Sequence, residues 1–207
     1  LSEMIEKRYN LHVKKLTKKE IFEGGYGNKI FKLINDTYKD IYGFSELSDR
    51  QIDQYINMYF PFADLDLITV IVDGNKDNAI AGMGITIPSL SRALQKCRRG
   101  RLLPFGWWHI LRAIKYSKTD GVDLLLLGFL PEYRSKGANA LLFNDLIPRY
   151  VERGFKWGES QVEMESNAGV QSQWAMFDTV NHKRRRCYKK DISAHLSPAK
   201  EENRQAD

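Results

Sequence analysis

From Val122 to Leu130 the chain reads Val-Asp-Leu-Leu-Leu-Leu-Gly-Phe-Leu, and no other stretch constrains the fold as strongly. A run this short and apolar, bounded by turn residues, predicts a strand covered on both faces. It passes through Pro131-Glu132-Tyr133-Arg134-Ser135-Lys136-Gly137 into a helical pattern that begins at Ala138. Where a strand turns directly into a helix, main-chain N–H groups and the positive end of the helix dipole face whatever lies above the turn. Gly137 allows close approach, small Ala138 and Ala140 keep the entrance open, and Arg134 and Lys136 add positive charge. A pyrophosphate suits that chemistry. A basic turn with an ordinary helix start suits the same residues, so the order of the surrounding elements has to decide.

Upstream, His12 to Leu16 predicts a first strand, and Gly24, Gly25 and Gly27 separate it from a helix built on Ile30, Phe31, Ile34, Tyr38 and Ile41. Ser48 and Asp49 offer caps for a second helix carrying Ile52, Tyr55, Ile56 and Tyr59, which Pro61 closes. Leu67 to Val72 and Ala79 to Ile87 flank Asp73-Gly74-Asn75, the turn chemistry of an antiparallel hairpin. Residues 88–120 then interrupt the rhythm as a helical insertion, with Ser89 to Arg99 and Trp107 to Tyr116 helical around Gly100 and Pro104. After the central helix, which Pro148 should kink or shorten before Gly154 ends it, Trp157 to Glu165 alternates as a strand. Gln171 to Val180 predicts a helix, Arg184 to Ile192 a last strand, and residues 193–207 a disordered polar tail.

At 207 residues the chain suits one large domain, here residues 1–192, rather than two enzymatic ones. With 43% hydrophobic and 28% charged residues it can build a core, which excludes wholesale disorder. A net charge of +6 favours anionic partners without choosing among them. Cys97 and Cys187 form neither a disulfide framework nor a thiol zinc site, so a reducing cytoplasm is expected. No run is long and apolar enough to span a bilayer, and the charged start is no signal peptide. A first residue of Leu leaves room for a domain upstream. Nothing sets the oligomeric state.

Competing chemistries lack their motifs. There is no G-x-x-x-x-G-K-[ST] or G-x-S-x-G, Gly25-Tyr26-Gly27 and Gly82-Met83-Gly84 lack the third glycine of a dinucleotide fingerprint, and the four histidines have no metal-ligand spacing, so no metal is expected. From Leu127 through Gly137 the sequence resembles the GNAT superfamily of acyl-CoA-dependent N-acyltransferases, whose acetyl-CoA motif is a strand followed by Arg/Gln-x-x-Gly-x-Gly/Ala. The order of elements from His12 to Ile192 is also that superfamily's order. The resemblance implies an α/β fold with a mixed, mostly antiparallel central sheet, splayed at its middle and flanked by helices, with the inserted helical segment as a lid on the acceptor side. It implies acetyl-CoA or a related acyl-CoA as co-substrate and a small-molecule or peptide amine as acceptor. The backbone of Arg134, Ser135, Lys136, Gly137, Ala138, Asn139 and Ala140 would hold the pyrophosphate. Leu127, Gly128 and Phe129 would pair with the pantetheine arm, and Asn167 would contact CoA. Two residues depart from the pattern: Asn139 stands where a second Gly or Ala is usual, and Trp174 where a tyrosine acid is usual.

For a base, period two from Trp157 to Asn167 puts Glu159, Gln161, Glu163, Glu165 and Asn167 on one face. Glu165, then Glu163, are the nominated proton acceptors, with Tyr188 and Tyr133 as candidate acids. The same glutamates would also serve simply to solvate an exposed sheet face. No acidic residue lies between Asn78 and Thr119, yet Arg92, Lys96, Arg98, Arg99, Arg101, Arg112, Lys115 and Lys118 do, with Trp107 and Trp108 among them. That segment reads as a lid helix with a solvated basic face. It also suits the 3′-phosphate of CoA, an acidic acceptor, RNA or an anionic membrane surface. A GNAT-like binding module without turnover is the alternative to an enzyme, and an RNA-binding protein is a lesser one.

Overall fold

The computed structural model describes residues 2–116 and 119–190, and the chain divides into two units, Leu1–Val162 and Glu163–Asp207. The first unit is built on five strands in the order β1-β2-β3-β4-β5: β1 Leu11–Lys14, β2 Ile68–Asp73, β3 Ala79–Pro88, β4 Gly121–Phe129 and β5 Trp157–Ser160. All neighbours are antiparallel except β4 and β5, which are parallel. This is the mixed, mostly antiparallel sheet that the resemblance implies. The hairpin turn forms as Asp73 accepts the amide of Asn75, and Asp77 and Asn78 take positive φ.

Helices cover both faces. On one, α3 (Tyr26–Tyr38) and α4 (Asp49–Tyr59) set Ile30, Phe31, Ile34, Ile52 and Ile56 against Val70, Val72 and Met83. Ser48, one of the two expected caps, and Gln51 cap α4 reciprocally, while Asp49 is instead the first helical residue. On the other, α1 (Ser2–Tyr9) and α8 (Ala138–Glu152) bring Ile5, Ala138 and Leu141 against Leu11, Ile71 and Ala81. Ile71 and Val72 face opposite ways because side chains alternate along a strand. Ala81 faces away from both Ile80 and Met83 because the β2–β3 register shifts there, a bulge.

Short elements complete the unit: α2 (Lys18–Phe22), capped reciprocally by Thr17 and Glu20, α5 (Ser91–Lys96), α6 (Gly106–Lys115) and α7 (Pro131–Arg134). Sequence periodicity does not anticipate α1 or α2, each too short to show a full apolar stripe. Pro148 does not divide α8. It and Asn144 are exposed, so the carbonyl that loses its N–H partner can be hydrated instead. Gly154, with φ +74°, follows the helix end as expected.

Three expectations are corrected. The strand expected over Trp157 to Glu165 stops at Ser160, and Val162 beyond it is 72% exposed, with no apolar surface to cover it. The helix expected over Gln171 to Val180 is instead α9 (Ala168–Gln173), followed by one tighter turn at Trp174–Met176. No strand forms from Arg184 through Lys190, where four consecutive cations from Lys183 leave neither face apolar enough to pack. Asp191, Ile192 and the 193–207 tail lie outside the described residues.

Candidate cofactor site

The central strand is paired unequally on its two edges. β3 accompanies β4 from Val122 to Phe129, whereas β5 accompanies it only from Gly121 to Leu124. The register skips Leu125 at that point: Ile85 pairs with Leu126 and Thr86 with Leu124. A bulge bends and twists the strand that carries it, and this one falls just where the β4–β5 ladder ends. Leu124 to Leu127 are half-buried rather than fully covered, which departs from the strand buried on both faces that the sequence suggests.

Leu130 donates its amide to Ala81 O. Main-chain groups of successive strand residues point to opposite edges, so Gly128 also faces β3, while Leu127 and Phe129 face the open edge. Two side chains reach those open-edge carbonyls. Tyr38 Oη donates to Leu127 O at 3.0 Å, and Arg134 Nε donates to Phe129 O at 3.0 Å. The same guanidinium donates to Thr37 O at the end of α3, at 3.3 Å. Burial raises the Tyr38 hydroxyl above the ordinary phenol range, and its bond to Leu127 only partly offsets this. Gly128 is needed here: a Cβ would lie 3.0 Å from Thr37 Oγ1, so the glycine lets α3 cross the strand closely. Sequence reading misses Thr37 and Tyr38. Tyr38 is legible only as part of an apolar helix stripe.

At the end of β4, Gly137 takes φ +72° and precedes α8 with no side chain capping the helix. Of the nominated amides, Ser135 and Lys136 donate to Tyr133 O, and Ala140 donates to Gly137 O at 2.9 Å. Those of Gly137, Ala138 and Asn139 open the helix, where no internal acceptor exists. Ala138 is 1% exposed, so its small side chain serves packing against α1 and the sheet rather than keeping an entrance open. Asn139 is half-buried and Ser135 exposed. Lys136 Nζ lies 4.5 Å from the centre of the Tyr133 ring, beside the turn. Tyr133 is buried and donates its hydroxyl to Asp73 at 2.7 Å. Burial, then the Asp73 carboxylate, raises that phenol, so it is a poor acid near neutral pH.

The other nominated residues belong to the second unit. Glu163 accepts a 2.7 Å hydrogen bond from Trp174 Nε1. Glu165, in a turn, lies 3.6 Å from Arg184 and 3.8 Å from Arg186, and all three are exposed. Asn167 caps α9 by accepting from the Val170 amide, and Tyr188 is 88% exposed. The shared strand face expected for Glu163, Glu165 and Asn167 does not form. Among the described residues no group of three or more His, Cys, Asp or Glu side chains could hold a metal ion. Nor is any helix among them long and apolar enough to cross a membrane.

No family model matches the chain. Among curated proteins, a bacterial ceramide synthase from Caulobacter vibrioides is 22% identical over 111 residues, 54% of this chain and 28% of that protein. The chain therefore spans far less than two thirds of that relative. Among solved structures, an aminoglycoside acetyltransferase from an uncultured soil metagenomic sample, in complex with sisomicin, aligns with a TM-score of 0.53 at 12% identity, covering 89% of this chain and 98% of that one. A protein from Pyrococcus horikoshii OT3 aligns with a TM-score of 0.51 at 14% identity, covering 80% and 86%. At these identities the likeness is one of architecture: the chain shares the fold of that aminoglycoside acetyltransferase.

Proposed function

We propose that this protein is an N-acyltransferase that moves an acetyl or related acyl group from acyl-CoA to an amine. One observation carries the reading: a strand that is bulged and unpaired along one edge ends at an uncapped helix mouth. The residues there fit the group. The amides of Gly137, Ala138 and Asn139 would hold the pyrophosphate, with Lys136 beside them, and the open-edge amides of Leu127 and Phe129 would pair with the pantetheine arm. Arg134 acts by fixing Phe129 and Thr37 rather than by gripping phosphate. When acyl-CoA is bound, its thioester supplies an activated acyl group and a thiolate leaving group. The chain's own part is positioning; water takes the protons that the acceptor nitrogen gives up and returns one to the departing sulfur. On this reading the protein works in the cytoplasm, where acyl-CoA donors are held.

Thermal unfolding with acetyl-CoA and with free CoA, followed by thiol release over a panel of amines, tests the proposal. The panel holds an aminoglycoside, a peptide amine, a polyamine and a long-chain amino alcohol. Stabilisation by both ligands and amine-dependent thiol release are expected. Binding without release on any amine would identify a CoA-binding module instead, and no binding would remove both readings.

A further inference from the structure

Helix α6 is turned the wrong way round for a helix that only covers a protein core. It sets Gly106 and Ala113 inward, while Trp107, Trp108 and Leu111 remain 48%, 42% and 37% exposed. The segment leading into it adds Leu102, Leu103 and Phe105 at 54%, 76% and 71%. Six large apolar side chains within ten residues thus stand in water, a concentration that soluble surfaces rarely leave unpartnered. The arrangement is held firmly. Gly106 packs so tightly that a Cβ would lie 2.2 Å from Arg101 O, the buried Cys97 thiol donates to Ala93 and Gly106 carbonyls, and Trp107 Nε1 donates to Pro104 O at 3.0 Å.

Charge says what this surface meets. Lys96, Arg99, Arg101, Arg112 and Lys115 are exposed, and residues 79–118 contain no Asp or Glu. Among the described residues the segment's ion pair is Arg92 with Asp120, at 3.0 Å. A second copy of the chain, meeting this face through a two-fold axis, would bring cations against cations. A surface that is anionic outside and apolar just beneath satisfies both sets of side chains. We infer that the α5–α6 segment docks on an anionic lipid bilayer, with Trp107, Trp108, Leu111 and the Leu102–Phe105 tip entering the interface and the cations meeting headgroup phosphates. The segment leaves the sheet where β4 begins, the end opposite Gly137, so docking does not depend on the acyl-CoA reading.

Co-sedimentation of the full chain with phosphatidylcholine vesicles, with and without phosphatidylglycerol, tests this. Binding is expected with phosphatidylglycerol only, weakening as salt rises, with a blue shift of tryptophan emission. The triple variant Trp107→Ser, Trp108→Ser, Leu111→Ser should bind at least roughly tenfold more weakly. Its circular dichroism, measured beside binding, reports whether losing the Trp107 bond to Pro104 O disturbs the helix. Arg112→Glu with Lys115→Glu should lose binding by charge alone, which keeps the inference testable if the triple variant misfolds. No binding to anionic vesicles at low salt would overturn the inference. So would equal binding by the charge variant, a concentration-dependent dimer that the triple variant abolishes, or binding to polyuridylate without binding to vesicles.

Discussion

Tyr38, the last residue of α3, donates its hydroxyl to the main-chain carbonyl of Leu127 at 3.0 Å, across 89 positions of sequence. The bond ties a helix terminus to the edge of the central strand that β5 leaves open. It gives Leu127 O a partner on that edge, as Arg134 does for Phe129 O.

Tyr38→Phe should therefore separate stability from ligand binding. Losing a part-buried hydrogen bond and leaving a carbonyl without that donor costs about 1 kcal/mol. The stabilisation that CoA adds should grow, because the ligand's own amide then has the carbonyl to itself. Differential scanning fluorimetry of both proteins with and without CoA reads the two effects. A smaller CoA shift in the variant would show that the hydroxyl serves the ligand directly.

Asn139→Asp places a carboxylate in the first turn of α8. For the helix alone this is favourable, by about 0.3–1 kcal/mol through the dipole. For a diphosphate at the same mouth it is repulsive. The variant should melt no lower than the parent and bind CoA at least roughly tenfold more weakly, a change of about 1.4 kcal/mol. Calorimetric titration of both proteins with free CoA checks this, and unchanged affinity would remove Asn139 from the phosphate cradle. Gly137 is a poorer choice for the same test. A Cβ there would lie 3.1 Å from Ile5 Cδ1 on a backbone at φ +72°, so the fold would be strained too.

A polar knot outside the site contributes to acid stability. Asp145 of α8 accepts from Thr69 at 2.5 Å and pairs with Lys15 at 2.6 Å and Arg149 at 3.0 Å. Burial pushes the Asp145 carboxyl up, but its bonds from Lys15, Thr69 and Arg149 together outweigh burial and hold it below the usual range. Three donors converge on that carboxylate, which keeps it ionised. A depressed folded value means the contribution is complete above the unfolded carboxylate's pKa, roughly 4, and is lost as pH falls through the lower folded value. Asp145→Asn should cost about 2 kcal/mol near neutral pH and flatten the acid limb of stability measured by urea unfolding. An unchanged acid limb would assign that limb to other carboxylates.

What the sequence discloses follows the range of the interactions. The β4 strand, the Gly137 turn and the capped start of α4 are local, so pattern and turn chemistry reveal them. The bulge at Leu125 is hidden in a run of four leucines, where no residue marks which one leaves the ladder. Tyr38 and Thr37 reach the site only because α3 crosses Gly128, a contact between distant segments. The Lys15, Thr69 and Asp145 knot joins the residue after β1 to β2 and α8 in the same way. The alternation after Ser160 misleads because period two needs a covering surface as well as a pattern, and Val162 has none.

Amide hydrogen exchange with and without free CoA bears most directly on the cofactor site. Slower exchange is expected at Leu127 and Phe129 along the open edge and at Gly137, Ala138 and Asn139 at the helix mouth, with the β2–β3 hairpin unchanged. Unaltered exchange at both places under saturating CoA, or slowing confined to the α5–α6 segment, would contradict it.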